Sequence, residues 1–326
     1  MPAPFRPDFA LLAPGGQSGN RRGGQARILL DGGGCRASNA IIMWWLVQIL
    51  CVIVATAGAG VLPNGEAPRR GITIPLAAPT GEGDVKLPPV TRARTADAPL
   101  VVIDPGHGGH DSGAVSPFVE QPEKQHVLAL ALAIRDALAA TGRVRVALTR
   151  EDDEYLPLEA RYAVARRLGA ELFISIHADA AANDGARGAT IYTLSEVASD
   201  RQAALLANQQ NESERIAGAR LGSDASVNLI LIDLAQRESM DVSAEFARIL
   251  HREAAPVFPF RPDWHRFAAF IVLKAPDIPS VLFESGYLTN EEDSRYIASP
   301  EGRQQIATGM RRAVEAHFAR RARSGT

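Results

Sequence analysis

The segment VVIDPGHGGHDSGAV, residues 101–115, is an apolar run that reaches an aspartate and continues into a glycine-rich loop. Residues 100–104 predict a buried β-strand, and the loop after it carries His107 and His110. The loop matches neither G-x-G-x-x-G nor G-x-x-x-x-G-K-[ST], so it lacks both nucleotide-binding fingerprints. Its glycines would instead let His107 reach a bound ligand and let a substrate approach the backbone closely.

Strands and amphipathic helices alternate through the chain after this segment. Strands are predicted at 100–104, 144–149, 172–177, 189–194, 269–273 and 280–284, and helices at 123–138, 158–169 and 300–321. This alternation is typical of an α/β fold, in which a mostly parallel twisted sheet has helices on both faces. Long amphipathic segments at about 195–262 predict a helical insert near the active site.

Three segments of different composition precede the predicted folded domain at 98–322. Residues 1–40 are rich in Gly and Arg and predict a disordered region. Residues 41–61 are nearly continuously apolar and end in small residues, which predicts a cleaved signal peptide; the alternative is a membrane anchor. Residues 62–97 have the composition of a linker. Both interpretations of 41–61 place the rest of the chain outside the cytoplasm, so we expect a periplasmic protein. It would contact the membrane only if the segment 41–61 is not cleaved.

Charge and cysteine usage narrow the function classes. The formal net charge of −2 gives no indication of a nucleic-acid partner. Both cysteines, Cys35 and Cys51, precede the predicted folded domain. A metal site in that domain would therefore have to use His, Asp and Glu side chains.

Polar side chains follow several predicted strands at one edge of the sheet. His107 follows the first strand, His177 is the last residue of the strand 172–177, and Glu284 is the last residue of the strand 280–284. Glu123 begins the helix that leaves the His107 loop and lies on its apolar face. Because open parallel sheets bind ligands beyond the carboxyl ends of their strands, we expect these side chains to meet there.

Each of these residues also has a purely structural interpretation. The helix dipole favours Glu123 in a first turn, and His107 could be a hydrogen-bonded loop residue. His177 could be a core histidine, and Glu284 could be a helix cap or a surface carboxylate. Taken together, however, two imidazoles and one carboxylate form the ligand set of a catalytic zinc with an open fourth position, and a second carboxylate could accept a proton.

Five ordered motifs carry a resemblance to a known family. They are VVIDPGHGGHDSGAV at 101–115, EK at 123–124, LTREDD at 148–153, AELFISIHADA at 170–180 and PSVLFESGYLTNEEDSRYI at 279–297. Over about residues 98–321 the chain resembles the zinc-dependent N-acetylmuramoyl-L-alanine amidases of bacterial cell walls. The resemblance implies that His107, Glu123 and His177 bind one Zn²⁺ per chain and that Glu284 is the catalytic carboxylate. It also implies cleavage of the peptidoglycan amide between the lactyl group of N-acetylmuramic acid and L-alanine.

The predicted insert is similar to that of family members that act in daughter-cell separation. In those members the insert covers the active site and LytM-type activator proteins release it, which implies an autoinhibitory lid and such a partner here. The alternative is a helical pair that only packs on the sheet. Relatives often have Glu-Asn where this chain has Gln210-Asn211, so the nearby Glu212 and Glu214 are candidate inhibitory ligands. His110 and His265 are candidates for lining the substrate cleft.

Two other function classes are compatible with the same residues. One is a zinc hydrolase with another cell-wall substrate, such as a peptidase or deacetylase, because fold and ligands alone do not fix the substrate. The other is a catalytically silent wall-binding module. The presence of all the proposed site residues argues against it. Product analysis separates the hydrolases, since an amidase releases intact stem peptides with a free alanine amino group.

Overall fold

The computed structural model describes residues 87–181, 185–217 and 228–324. The disordered region predicted at 1–40, the apolar segment 41–61 and the first part of the linker, 62–86, lie outside the described residues. Within the described ranges, no helix combines the length and apolar character that a membrane span requires.

A six-stranded sheet forms the centre of the described fold. Its strands are β1 (Leu100–Pro105), β2 (Arg145–Leu148), β3 (Leu172–His177), β4 (Ala189–Leu194), β5 (Phe260–Ala268) and β6 (Ser280–Glu284). They lie in the order β2-β1-β3-β6-β4-β5. Neighbouring strands are parallel except for β4 and β6, which are antiparallel. The predicted α/β class with a mostly parallel sheet is thereby confirmed.

Helices cover both faces of this sheet. They are α1 (Glu123–Ala139), α2 (Leu158–Leu168), α3 (Arg201–Ala217), α4 (Asn228–Ala254), α5 (Glu291–Ala298) and α6 (Pro300–Ser324). Alternate residues of β1 enter two separate cores, because side chains of a strand point to opposite faces. Val101 and Ile103 pack with residues of α1, α4 and α6, whereas Leu100 and Val102 pack with residues of α2 and α3. Burial on both faces explains why β1 is a continuous apolar run.

The strand predicted at 269–273 is wrong. Residues Ile271–Leu273 form a 3₁₀ turn, and the strand at this place in the sheet is β5, which ends at Ala268. A short apolar run cannot be assigned to strand or helix from periodicity alone. The true strand lies at the sheet edge and leaves Pro262 and Asp263 exposed, so it lacks the apolar pattern of a central strand.

The end of the predicted linker packs against the domain. The Thr91 backbone N–H donates to the Val146 carbonyl, and the Val146 N–H donates to Thr91 Oγ1, both at 2.8 Å. Val90 packs against the core on the α2 side of the sheet. The outer backbone groups of an edge strand need partners, and residues before 98 supply them to β2.

The predicted insert contains α3 and α4, and β5 begins before its predicted end at residue 262. The C-terminal half of α4 buries Phe246, Leu250 and Ala254 in the core. The first turns of α3 bury Ala203 and Leu206 on the opposite face. Both helices therefore contribute to the packing of the sheet.

Candidate active site

Three donor atoms from His107, Glu123 and His177 meet at the carboxyl edge of the sheet. His107 Nε2 lies 3.0 Å from Glu123 Oε1, and His177 Nδ1 lies 3.2 Å from each of these atoms. All three side chains are buried. Ligands bound at about 2.0–2.1 Å to a tetrahedral metal stand about 3.3 Å apart, close to the spacing of this triangle. The group could therefore hold a metal ion.

Each donor is placed by the end of a regular element. His107 follows the end of β1, His177 is the last residue of β3, and Glu123 is the first residue of α1. Asp111 Oδ2 lies 2.9 Å from His107 Nδ1 and fixes the ring so that Nε2 faces Glu123. The Ala178 backbone N–H donates to Glu123 Oε1 at 2.9 Å. When a histidine binds a metal through one ring nitrogen, its other ring nitrogen commonly donates to a carboxylate that fixes the orientation of the ring.

The electrostatics of the group favour positive charge beside Glu123. Burial opposes ionisation of Glu123, but His107 and His177 outweigh it and lower the Glu123 pKa. Burial likewise disfavours a charged His107, yet Glu123 and Asp111 raise its pKa to about 9. Burial lowers the pKa of His177. Because a metal needs neutral imidazoles, metal binding should compete with protons at this group.

Glu284 lies beside this group on the neighbouring strand, paired in register with His177. Among the described residues, no hydrogen bond of normal geometry reaches either of its buried carboxylate oxygens, and the Asp179 backbone contributes only a minor favourable interaction. Burial, and then the carboxylates of Asp179 and Glu123, raise the pKa of Glu284 well above its ordinary value. A buried carboxyl group without a hydrogen bond of normal geometry costs free energy and is typical of a residue kept for chemistry.

A cavity of about 290 Å³ opens beside His107 and Glu123, and neither His177 nor Glu284 lines it. Its lining comes from the loop after β1, the start of α1, the segment after β3, and α3. The lining residues are His107, His110, Asp111, Ser112, Gly113, Ala114, Glu123, Asp179, Ala180, Gln209 and Gln210. The helix α3 of the insert therefore forms one wall of the cavity.

The remaining predicted residues lie in different places. His110 lines the cavity and packs on Tyr155, with ring centroids 4.1 Å apart. Glu212 is exposed on α3 and does not line this cavity, and the side chain of Glu214 lies outside the described residues. His265 lies on β5, where its Nε2 is 3.1 Å from Thr193 Oγ1, and does not line the cavity.

Comparison with known proteins identifies the family of this chain. The model of the family described as N-acetylmuramoyl-L-alanine amidase matches residues 101–316, which include His107, Glu123, His177 and Glu284. The chain belongs to this amidase family. The family and the hydrolase class predicted from the motifs are thereby confirmed.

Individual amidases extend this similarity. The chain is 37% identical over 221 residues to the amidase AmiA of Escherichia coli strain K12, a match that covers 67% of the chain and 76% of the relative. It is 35% identical over 225 residues to AmiC of Escherichia coli O6:H1, where the match covers 68% of the chain but only 54% of the relative. Among solved structures, the CwlV catalytic domain from Bacillus (Paenibacillus) polymyxa aligns with a TM-score of 0.51 and 26% identity, covering 68% of this chain and 98% of that domain.

Several residues of the amidase site were not singled out from the sequence. Asp111 lies four residues after His107 in GHGGHD, and Asp179 lies two residues after His177 in HADA. This closeness to a predicted metal ligand is the sequence feature that could have identified them. Gln209 and Gln210 reach the cavity from α3; no local pattern marks Gln209, and the sequence marks Gln210 only as the residue that stands where relatives often have Glu. Their contribution depends on how the insert folds back over the sheet edge.

A substitution at Gly106 tests how closely His107, Glu123 and His177 are packed. A Cβ at this position would lie 2.2 Å from Cε1 and 2.5 Å from Nε2 of His177. We expect Gly106→Ala to displace the His177 ring and to weaken binding of a metal ion at least ~100-fold, more than the loss of a residue that only supports a metal ligand typically does. Titration of zinc against a chromogenic chelator measures the effect.

The matched control for this substitution is Gly169→Ala. Gly169 ends α2 with φ +67°, and an added Cβ would meet nothing within 4 Å. This variant should lose about 1–2 kcal/mol of stability from the left-handed backbone alone and keep its zinc affinity. Equal zinc affinity in both variants would show that the ligands are not packed as described.

Proposed function

We propose that the chain is a zinc-dependent amidase that hydrolyses the bond between the lactyl carbonyl of N-acetylmuramic acid and the L-alanine nitrogen of the peptidoglycan stem peptide. The supporting observation is the triangle of donor atoms from His107, Glu123 and His177, of which the first two residues line a cavity, with the buried carboxyl group of Glu284 on the strand next to His177. These three residues would hold one Zn²⁺. When bound, zinc supplies a Lewis acid that acidifies water and polarises a carbonyl group.

Glu284 is the proposed proton carrier of the reaction. Its carboxylate accepts the proton of the water that attacks the lactyl carbonyl and delivers it to the alanine nitrogen as the C–N bond breaks. The products are a free lactyl carboxylate on the sugar and a stem peptide with a free amino group. A raised pKa suits this role, because the group must first take a proton and then return it.

Digestion of purified sacculi tests this function. With zinc, the full-length protein should release intact stem peptides that begin with a free L-alanine amino group, as identified by mass spectrometry. Glu284→Ala protein prepared in parallel is the control. Cleavage within the stem peptide would identify a peptidase, and release of acetate with the stems still attached would identify a deacetylase.

The exported location and the cell-wall setting belong to the same proposal. Peptidoglycan lies outside the cytoplasm, and the apolar segment 41–61 would carry the domain across the inner membrane as a signal peptide or anchor. In this setting the enzyme would act in cell-wall remodelling and daughter-cell separation. N-terminal sequencing of protein purified from the periplasm and from membranes separates the two routes: cleavage near residue 60 supports a signal peptide, whereas an intact segment supports an anchor.

We further propose that α3 restricts substrate access and that a LytM-type activator protein relieves this restriction. The supporting observation is that Gln209 and Gln210 of α3 line the cavity beside His107. Deleting the whole insert would remove buried residues of α4 from the core, so the sharper test changes only the two side chains that line the cavity. The Gln209→Ala, Gln210→Ala double variant should hydrolyse sacculi several-fold faster without any activator.

The control for this variant is Gln202→Ala on the same helix. Gln202 Oε1 accepts a hydrogen bond from Arg266 at 3.4 Å and does not line the cavity. Its loss should leave the basal rate unchanged. A basal rate in the double variant equal to that of the wild type would reject α3 as a restriction.

A further inference from the structure

In the loop after β1, His107 has a backbone conformation that a residue with a side chain does not favour. His107 has a φ of 59°, in the left-handed region, and it is followed by Gly108 at 124° and Gly109 at 57°. A non-glycine residue in this region costs roughly 1–3 kcal/mol, so the surroundings must impose it. The contacts that impose it also determine where the His107 imidazole points.

Arg161 of α2 reaches this loop from beneath. Its side chain is only 2% exposed, and its Nη2 donates to the His107 carbonyl at 2.9 Å. Its Nη1 donates to the Pro105 carbonyl at 3.2 Å and to Asp104 Oδ1 at 3.0 Å. Its Nε donates to the Leu156 carbonyl at 2.9 Å. One guanidinium therefore ties the end of β1, the His107 residue and the segment before α2 together.

Arg150, which follows β2, holds the same loop from another side. Its side chain is 3% exposed, and its Nε donates to the Pro105 carbonyl at 2.9 Å. Its Nη2 donates to the Gly106 carbonyl at 2.7 Å and to the Lys124 carbonyl at 3.1 Å. Because Lys124 follows Glu123 in α1, this guanidinium links the His107 loop to the helix turn that presents the second donor.

We propose that Arg150 and Arg161, here called the arginine cradle, are positioning residues for the metal site. Together they bind the three consecutive carbonyl groups of Pro105, Gly106 and His107, and they thereby orient His107 and Glu123 toward a shared ion. The proposal rests on the proposed function, because it presumes that these donors bind zinc.

The role of the cradle is geometric, because its charge works against a nearby cation. Two buried positive groups beside a metal site repel the metal. Asp104 offsets part of this charge; it pairs with Arg161 and also accepts hydrogen bonds from Thr149 and Ser175 at 2.6 and 2.7 Å. What arginine offers in return is a planar fork that reaches several diverging carbonyl groups at once, which the single ammonium of lysine cannot do.

The test measures metal binding of full-length Arg150→Lys and Arg161→Lys proteins. Both variants keep the charge and lose the fork, so we expect the zinc dissociation constant to rise about 10–100-fold, as for other outer-shell changes at metal sites. The visible absorption spectrum of the Co²⁺-loaded variants should also shift in band position and intensity, because it reports ligand geometry. Both measurements are made below the unfolding temperature of each metal-free protein.

The matched control is Arg166→Lys on the same helix. Arg166 forms a bidentate pair with Asp277, which does not belong to the His107 loop, so its loss should leave the zinc affinity and the Co²⁺ spectrum unchanged. If Arg161→Lys does not fold, the zinc affinity and Co²⁺ spectrum of Arg150→Lys alone test the cradle. Folded cradle variants with the wild-type affinity and spectrum would overturn the cradle and leave the proposed function standing. A wild-type protein that binds no zinc would overturn both.

Discussion

Replacing Glu284 with glutamine or alanine should abolish peptidoglycan hydrolysis while zinc remains bound. Loss of a positioned general base lowers the turnover rate by about 10²–10⁴-fold. Glu284 fits this role because it is buried on the strand next to His177 and no hydrogen bond of normal geometry occupies its oxygens within the described structure. Turnover on purified sacculi and zinc content per chain, measured on the same preparation, give the two readouts.

Glu291→Gln is the matched control for Glu284. Glu291 is exposed in the first turn of α5, where it pairs with Arg295 at 3.0 Å, so its replacement should change neither readout. Loss of zinc from the Glu284 variants would make Glu284 a metal ligand rather than the base. Full activity with zinc bound would remove it from the mechanism.

Removal of the metal should abolish activity, and zinc should restore it. A metal acting as a Lewis acid stabilises the transition state by several kcal/mol. Dialysis against a chelator should therefore lower turnover roughly 10³-fold or more. His177→Ala protein should remain inactive when zinc is added back, because it lacks one of the three donors. The measurement is hydrolysis of sacculi before chelation, after chelation and after addition of zinc.

His251→Ala provides the comparison for the His177 variant. His251 stacks on Trp264 with ring centroids 4.1 Å apart and does not line the active-site cavity. This variant should lose and regain activity as the wild type does. A chelated wild-type enzyme with undiminished turnover would exclude an essential metal.

The central strands and the site edge could be predicted because their signals are local. β1, β3 and β6 are buried on both faces, so each is an apolar run that ends at a chemically distinctive residue or loop. The topological rule for parallel sheets then places His107, His177 and Glu284 at one edge without any knowledge of their contacts. Glu123 could be included because its helix begins directly after the His107 loop.

The features that could not be predicted depend on distant parts of the chain. The edge strand β5 is half exposed and pairs with β4 across the whole insert, so its sequence carries no clear strand pattern. Arg150 lies in the LTREDD motif, and Arg161 resembles an ordinary charged residue of a helix, but only the folded structure shows that both bind the backbone around His107. The pairing of Thr91 with β2 likewise depends on a neighbour more than 50 residues away.

Anomalous diffraction at the zinc absorption edge, from crystals of the zinc-loaded protein, tests the central claim most directly. We expect one zinc peak per chain, within about 2.0–2.2 Å of His107 Nε2, Glu123 Oε1 and His177 Nδ1. A zinc peak bound by other residues, or the absence of any peak at these three atoms, would contradict the account.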